Sequence, residues 1–140
     1  MLATVEAMKK GFEDSNLKIK MIREVKDGPT IVYSGVNGKS NTYDILFIFT
    51  PDEHTVTIRV DALAKVPIDR AYEVRDQLNE LNEHYRWIKL IINKDSDICL
   101  LIDAIVTPET AGPVCVELMV RTMKIVDEIY PVIMQSIWSK

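Results

Sequence analysis

The sequence has few of the residues that build metal centres and disulfide frameworks. It contains two cysteines and two histidines in 140 residues, with no Cys-x-x-Cys or His-x-x-x-His spacing to indicate a zinc site. The histidines, His54 and His84, fall in separate predicted elements. Cys99 and Cys115 lie in apolar surroundings, and a single bridge would be a poor staple for a chain of this size. We therefore expect both thiols to be free and buried, in a cytoplasmic protein that needs no cofactor.

Long apolar runs and an excess of positive charge are also missing. No stretch approaches the roughly 18 consecutive apolar residues that a membrane span requires, and the N-terminus lacks the charge and apolar pattern of a signal peptide. The net charge is 17 − 21 = −4, which argues against non-specific nucleic-acid binding. The one basic cluster, between Lys9 and Lys26, is interrupted by acidic residues. We expect neither a membrane nor a nucleic-acid partner.

The chain does contain enough apolar material for one core. Hydrophobic residues make up 47% of the sequence, and a chain of this length buries about 68% of the surface that its unfolded form exposes. We therefore expect residues 1–140 to form a single domain.

The hydrophobic periods predict an α+β fold. Apolar residues recur at three and four, as in helices, over 2–14, 68–85 and 108–138. Strand patterns occupy 17–21, 31–33, 43–49, 56–61, 87–92 and 98–104. We expect an antiparallel sheet with helices in the order α-β-β-β-β-α-β-β-α. Thr107 is the predicted N-cap of the last helix, and Pro131 is predicted to kink or end it.

Two elements carry more apolar surface than one face of a sheet usually covers. The third strand, 45–49, is apolar on both faces, and the last helix carries two adjoining apolar stripes. Deep burial in one core and a subunit interface both explain this excess, since monomers rarely expose large apolar patches. If it is an interface, the candidate contact residues are Phe47, Phe49, Met119, Met123 and Trp138. The amphipathic segment 85–87 is typical both of residues that anchor interfaces and of residues that fill a core.

Candidate chemistry is sparse. No nucleophile lies in a hydrolase or protease context, so we assign no catalytic residue. Asp61 and Asp103 each follow an apolar strand segment and precede an alanine, and Glu109 lies near the predicted cap of the last helix. If these carboxylates converge, they could do acid–base or metal-dependent work. A small-ligand sensor with a pocket between sheet and helices stays open as well.

Five segments in order along the chain resemble the YbjN-domain family, small bacterial proteins described as sensory-transduction regulators. They are 64–67 (AKVP), 78–82 (LNELN), 85–87 (YRW), 103–112 (DAIVTPETAG) and 127–131 (DEIYP). The resemblance implies a fold like that of type III secretion chaperones. It also implies homodimers that bind partner polypeptides, without established catalytic residues.

The function expected from these observations is that of a non-enzymatic homodimeric regulator, adaptor or chaperone-like protein, acting in bacterial signal transduction. Its partner would be another polypeptide. The alternative is a small-ligand sensor or a carboxylate-dependent or metal-dependent enzyme that uses Asp61, Asp103 and Glu109.

Overall fold

The element order predicted from the hydrophobic periods is confirmed. The computed structural model describes residues 1–139, which form three α-helices and six strands in the order α-β-β-β-β-α-β-β-α. The elements are α1 (Ala3–Asp14), β1 (Met21–Glu24), β2 (Thr30–Asn37), β3 (Thr42–Phe49), β4 (Thr55–Lys65), α2 (Ala71–His84), β5 (Lys89–Ile92), β6 (Asp97–Ile105) and α3 (Ala111–Trp138). A short 3-10 turn, Ile68–Arg70, precedes α2. No helix within residues 1–139 is long and apolar enough to cross a bilayer.

The six strands form one antiparallel sheet in the order β1-β2-β3-β4-β6-β5. The register aligns Val32, Phe47, Ile58 and Ile102 in one row across the sheet. All four belong to the core cluster that includes the buried residues of the three helices. Because side chains alternate along a strand, the helices cover one face of the sheet and the neighbouring positions point to the other.

We call the sheet face without helices the open face. Its central row runs from Tyr33 through Leu46 and Arg59 to Leu101. None of these four residues belongs to the core cluster or is packed against it, and all are half-buried. Within residues 1–139, therefore, no helix screens this face from solvent.

The predicted interface role of the third strand needs correction at two positions. Phe47 and Phe49 have no exposed surface and lie in the core with Ile45. They lie on the same side of β3, and that side faces the helices. The Phe12 ring of α1 meets the Phe47 ring edge-on, with centroids 5.6 Å apart. The apolar excess of this strand reaches the surface only through the opposite parity, at Leu46 and Ile48.

Helix α3 also buries most of its two apolar stripes within this chain. Met119, predicted as a contact residue, is 3% exposed and lies in the core beside Cys115 and Val126. The helix is wide in its apolar arc because it packs against α1 and α2 as well as the sheet. The deep-burial explanation therefore holds for α3, and Met119 is not available to a partner.

Helices α1 and α3 approach so closely that side chains would not fit between them. A Cβ atom built on Gly112 would lie 2.9 Å from the Ala7 carbonyl oxygen, and one on Gly11 would lie 3.1 Å from the Gly112 Cα. Glycine is therefore required on both sides of this crossing for the backbones to stay in contact.

The predicted start of the last helix is wrong, and the helix does not end at Pro131, so that a kink there stays a prediction. The helix begins at Ala111 because Thr107 and Thr110 form a separate turn, in which the Thr107 N–H donates to the Thr110 Oγ1 at 2.8 Å. At the other end, α3 continues through Pro131 to Trp138. Pro131 lies on the exposed side of the helix, where water can bond the carbonyl that loses its amide partner.

Candidate binding groove

The edge strand β5 leaves part of its neighbour unpaired. Pairing between β5 and β6 ends at Lys89 and Leu101, although β6 continues to Ile105. The Val106 N–H donates to the His54 carbonyl oxygen at 2.9 Å. Since backbone groups alternate in direction along an antiparallel strand, the N–H and C=O of Asp103 and Ile105 point away from β4. Among residues 1–139, no strand pairs with them.

A groove of about 570 Å³ lies along this free edge. One wall is β6, and the other is the first half of α3. Its lining is mainly apolar, formed by Trp87, Ile102, Ala104, Ile105, Pro113, Val114 and Leu118, with Asp103, Glu117 and Arg121 at the rim. Ile105 is 86% exposed and Trp87 is 63% exposed. Two large apolar side chains therefore stand in solvent at one site.

Trp87 has a strained backbone, with a φ of +76°. Bulky residues rarely adopt this left-handed conformation, which costs about 1–3 kcal/mol. Pairing with β6 begins only two residues later, where β5 starts at Lys89. An extended continuation of β5 through Trp87 would fill the free edge of β6. The left-handed residue therefore lies where the pairing stops.

Beyond Trp87 the groove continues into a smaller recess of about 220 Å³. Arg86, Lys124 and Arg121 contribute positive charge to its lining. Arg121 is paired with Glu117 at 2.8 Å, whereas no ion pair within residues 1–139 neutralises Arg86 or Lys124. One end of the groove therefore carries net positive charge next to the apolar walls.

Tyr85 also lines this recess, and its hydroxyl bonds to α3. It donates a hydrogen bond to Glu128 Oε2 at 2.7 Å, which joins the end of α2 to α3. Burial, together with that bond and the negative charge of Glu128, raises the pKa of Tyr85 to about 12. The phenol stays protonated and the loop before Trp87 is anchored to α3.

A second tyrosine lies near the hairpin between β2 and β3. The Gly38 N–H donates to the Asn41 carbonyl oxygen at 2.8 Å, and the Lys39 N–H donates to Asp127 Oδ1 at 3.0 Å. Burial and the charge of Asp127 raise the pKa of Tyr43 to about 12. The hydrogen bond between Lys39 and Asp127 ties the hairpin to α3. The role of this region is therefore structural.

The predicted carboxylate site is not assembled. Asp61 pairs with Arg59 at 2.9 Å, and Asp103 accepts a hydrogen bond from Thr57 at 2.6 Å. Both lie on the open face, but the register separates them by four residues along the strands, or about 13 Å. Glu109 is exposed in the turn before α3. Over the described part of the chain, no group of three or more His, Cys, Asp or Glu side chains could hold a metal ion.

The remaining predicted contact residues reach the surface. Met123 is half-buried and Trp138 is 73% exposed near the end of α3. Their role in an interface stays a prediction. Sequence reasoning did not assign the groove, although it singled out 85–87 as amphipathic. Ile105 gave a further signal, because its apolar side chain falls on the open-face parity of β6.

No protein-family model matches this chain, and no match was found among the curated proteins. Membership of the YbjN-domain family therefore stays a prediction from the sequence segments.

Proposed function

We propose that this protein is a non-enzymatic, homodimeric adaptor or chaperone-like regulator of the YbjN kind, which binds an extended segment of a partner polypeptide along the free edge of β6. The observation that carries the proposal is the coincidence of unpaired backbone groups with an apolar groove. The proposal includes a cytoplasmic location, which the free and buried Cys99 and Cys115 support.

The backbone chemistry of the groove favours a peptide. An extended segment added beside β6 would pair with the N–H and C=O groups of Asp103 and Ile105. Strand addition of this kind supplies affinity through main-chain bonds and specificity through alternate side chains. Every second side chain of the segment would enter the groove and contact Val114 and Leu118 on α3.

The charges at the groove restrict which peptide sequences would bind there. Arg86 and Lys124 stand at one end of the groove, without ion-pair partners among the described residues. An acidic residue at the matching end of the segment would complement this charge. We therefore expect partner segments that alternate apolar side chains and carry Asp or Glu at one end.

A small-ligand sensor is the second candidate, because the groove volume of about 570 Å³ falls within the usual range for small-molecule sites. A small apolar ligand, however, would leave the backbone groups of Asp103 and Ile105 unpaired. A thermal-shift screen separates the two candidates, since a ligand that binds the native state selectively raises the melting temperature.

The experiment selects binders from a displayed library of random linear peptides and measures their affinity by fluorescence polarisation. The key variant is Ile105→Pro, which removes the N–H that points from the free edge while leaving the β4 side of the ladder intact. We expect it to weaken peptide binding by about tenfold or more, because an unmade backbone hydrogen bond costs about 1–3 kcal/mol.

Ile105→Val is the matched control, since it keeps the N–H and the apolar character of the position. Its binding should stay within a few-fold of the wild type. Circular dichroism verifies that both variants are folded. Failure to select any peptide, or equal binding by Ile105→Pro and Ile105→Val, would contradict strand addition at this edge.

A further inference from the structure

The open face extends beyond its central row, although Ile31 and Cys99 on the same side of the sheet are buried within the chain. Next to the row of Tyr33, Leu46, Arg59 and Leu101, a second row runs through Ile31, Ile48, Thr57 and Asp103. Apolar side chains make up five of these eight positions if the Tyr33 ring is counted with them. Soluble antiparallel sheets commonly alternate apolar residues on the covered face with polar residues on the open one. The centre of this open face does not follow that rule.

The cations near the centre of this face are already paired within the chain. Arg59 bonds Asp61 at 2.9 Å and Lys20 bonds Asp44 at 3.1 Å, while Asp103 accepts from the Thr57 hydroxyl. Burying an unpaired charge is costly, whereas a paired and hydrogen-bonded one is tolerated better. Contact with an apolar surface would therefore leave no isolated cation at the centre of the face, while Asp103, which has no cation partner among residues 1–139, would keep its hydrogen bond from Thr57.

Cations without an ion-pair partner among residues 1–139 lie only toward the margins of this face. Arg23 is on the edge strand β1 and Lys89 is on the edge strand β5. Both are exposed. The distribution is that of an interface, with an apolar centre and a charged rim in contact with water.

The size of the face suits a dimer. The sheet has six strands, and its long central strands contain at least eight residues. With spacings of about 4.8 Å between strands and about 3.3 Å between residues, the face measures about 24 by 26 Å, or about 600 Å² in projection. Accessible area exceeds projected area on a side-chain surface, and a standard interface needs about 800 Å² from each partner.

We propose that a second copy of this chain docks on the open face, so that two sheets pack face to face around Leu46 and Leu101. Each subunit contributes the same patch, as a two-fold symmetric dimer requires. The helices and the groove beside β6 then lie on the outside of the assembly. This inference rests on the homodimer of the proposed function and assigns its surface.

The test is Leu46→Glu, which puts a charge at the centre of the patch on a half-buried position outside the core. Val120→Glu is the matched control, because Val120 is an exposed apolar residue on α3. Sedimentation equilibrium over a wide concentration range measures the dimer dissociation constant. We expect a dimer for the wild type and for Val120→Glu, and at least a hundredfold weaker association for Leu46→Glu.

A second, milder variant separates an effect on the dimer from an effect on folding. Ile48→Thr keeps a β-branched side chain suited to a strand and should weaken the dimer by about tenfold, since it replaces an apolar contact by a hydroxyl. Circular dichroism and binding of the selected peptide report whether each variant is folded.

Three results would overturn the assignment. They are a monomeric wild type, unchanged association in both open-face variants, and dissociation by Trp138→Glu with no effect of Leu46→Glu. The peptide assay stands apart from all three. A monomer that still binds peptide and loses it with Ile105→Pro would keep the groove and reject the dimer surface.

Discussion

The crossing of α1 and α3 predicts that Gly112→Ala destabilises the fold, although helix propensity alone favours alanine. Alanine exceeds glycine by about 1 kcal/mol inside a helix, and less at the second residue of α3. The new Cβ atom would lie 2.9 Å from the Ala7 carbonyl oxygen, whereas ordinary contacts begin at 3.4 Å. Since the opposing atom is backbone, the helices must separate by roughly half an ångström. Overpacking of this kind costs about 1–3 kcal/mol, so we expect a net loss of about 1–2 kcal/mol.

Urea unfolding followed by circular dichroism measures this change. Protomer concentration is held constant, because the proposed dimerisation would make apparent stability concentration-dependent. Gly35→Ala is the matched control: its Cβ atom would meet nothing closer than Asp44 Oδ1 at 3.6 Å, and alanine is favoured in a strand by about 0.5–1 kcal/mol. If Gly112→Ala is as stable as the wild type or more so, the close crossing does not limit the packing of these helices.

Two further predictions concern Trp87 and the tyrosines. Trp87→Gly should stabilise the fold by about 1 kcal/mol, because it relieves the positive φ at a mainly exposed residue, and it should weaken peptide binding. Ala62→Gly relieves a φ of +52° in the bulge of β4 and should stabilise the fold without affecting peptide binding. Equal peptide binding by Trp87→Gly and the wild type would contradict a role of Trp87 in the groove. In alkali, stability should be complete below pH 10 and fall between pH 10 and about 12, because the pKa values of Tyr43 and Tyr85 are raised from 10.0 to about 12. Urea midpoints across this range should fall less for Tyr85→Phe than for the wild type, and an identical fall would show that Tyr85 contributes nothing to it.

The fold was predictable from the sequence because each element shows its own hydrophobic period. Alternation marks β4, and the three-four spacing of Val74, Leu78 and Leu81 marks α2. The errors occur where local bonds compete with the pattern. Predicted strand 17–21 gives way to β1 at Met21–Glu24, and the paired hydroxyls of Thr107 and Thr110 delay the start of α3.

The groove could not be predicted because it depends on where pairing stops. Periodicity indicated a strand from Trp87, and an extended chain there would cover the edge of β6. The left-handed backbone of Trp87 moves the start of β5 to Lys89. Likewise, apolar residues at Phe47 and Leu46 look alike in the sequence, and only the position of the helices decides which of them is buried.

Helix α3, which packs closely on α1, follows all six strands in the chain and is therefore synthesised after them. Until α3 is made, only α1 and α2 are available to cover the apolar face that contains Phe47 and Ile58. Chains with such long-range pairings fold slowly and expose aggregation-prone surface in the meantime. The part of the apolar face that α3 covers is therefore the part that stays exposed longest during synthesis.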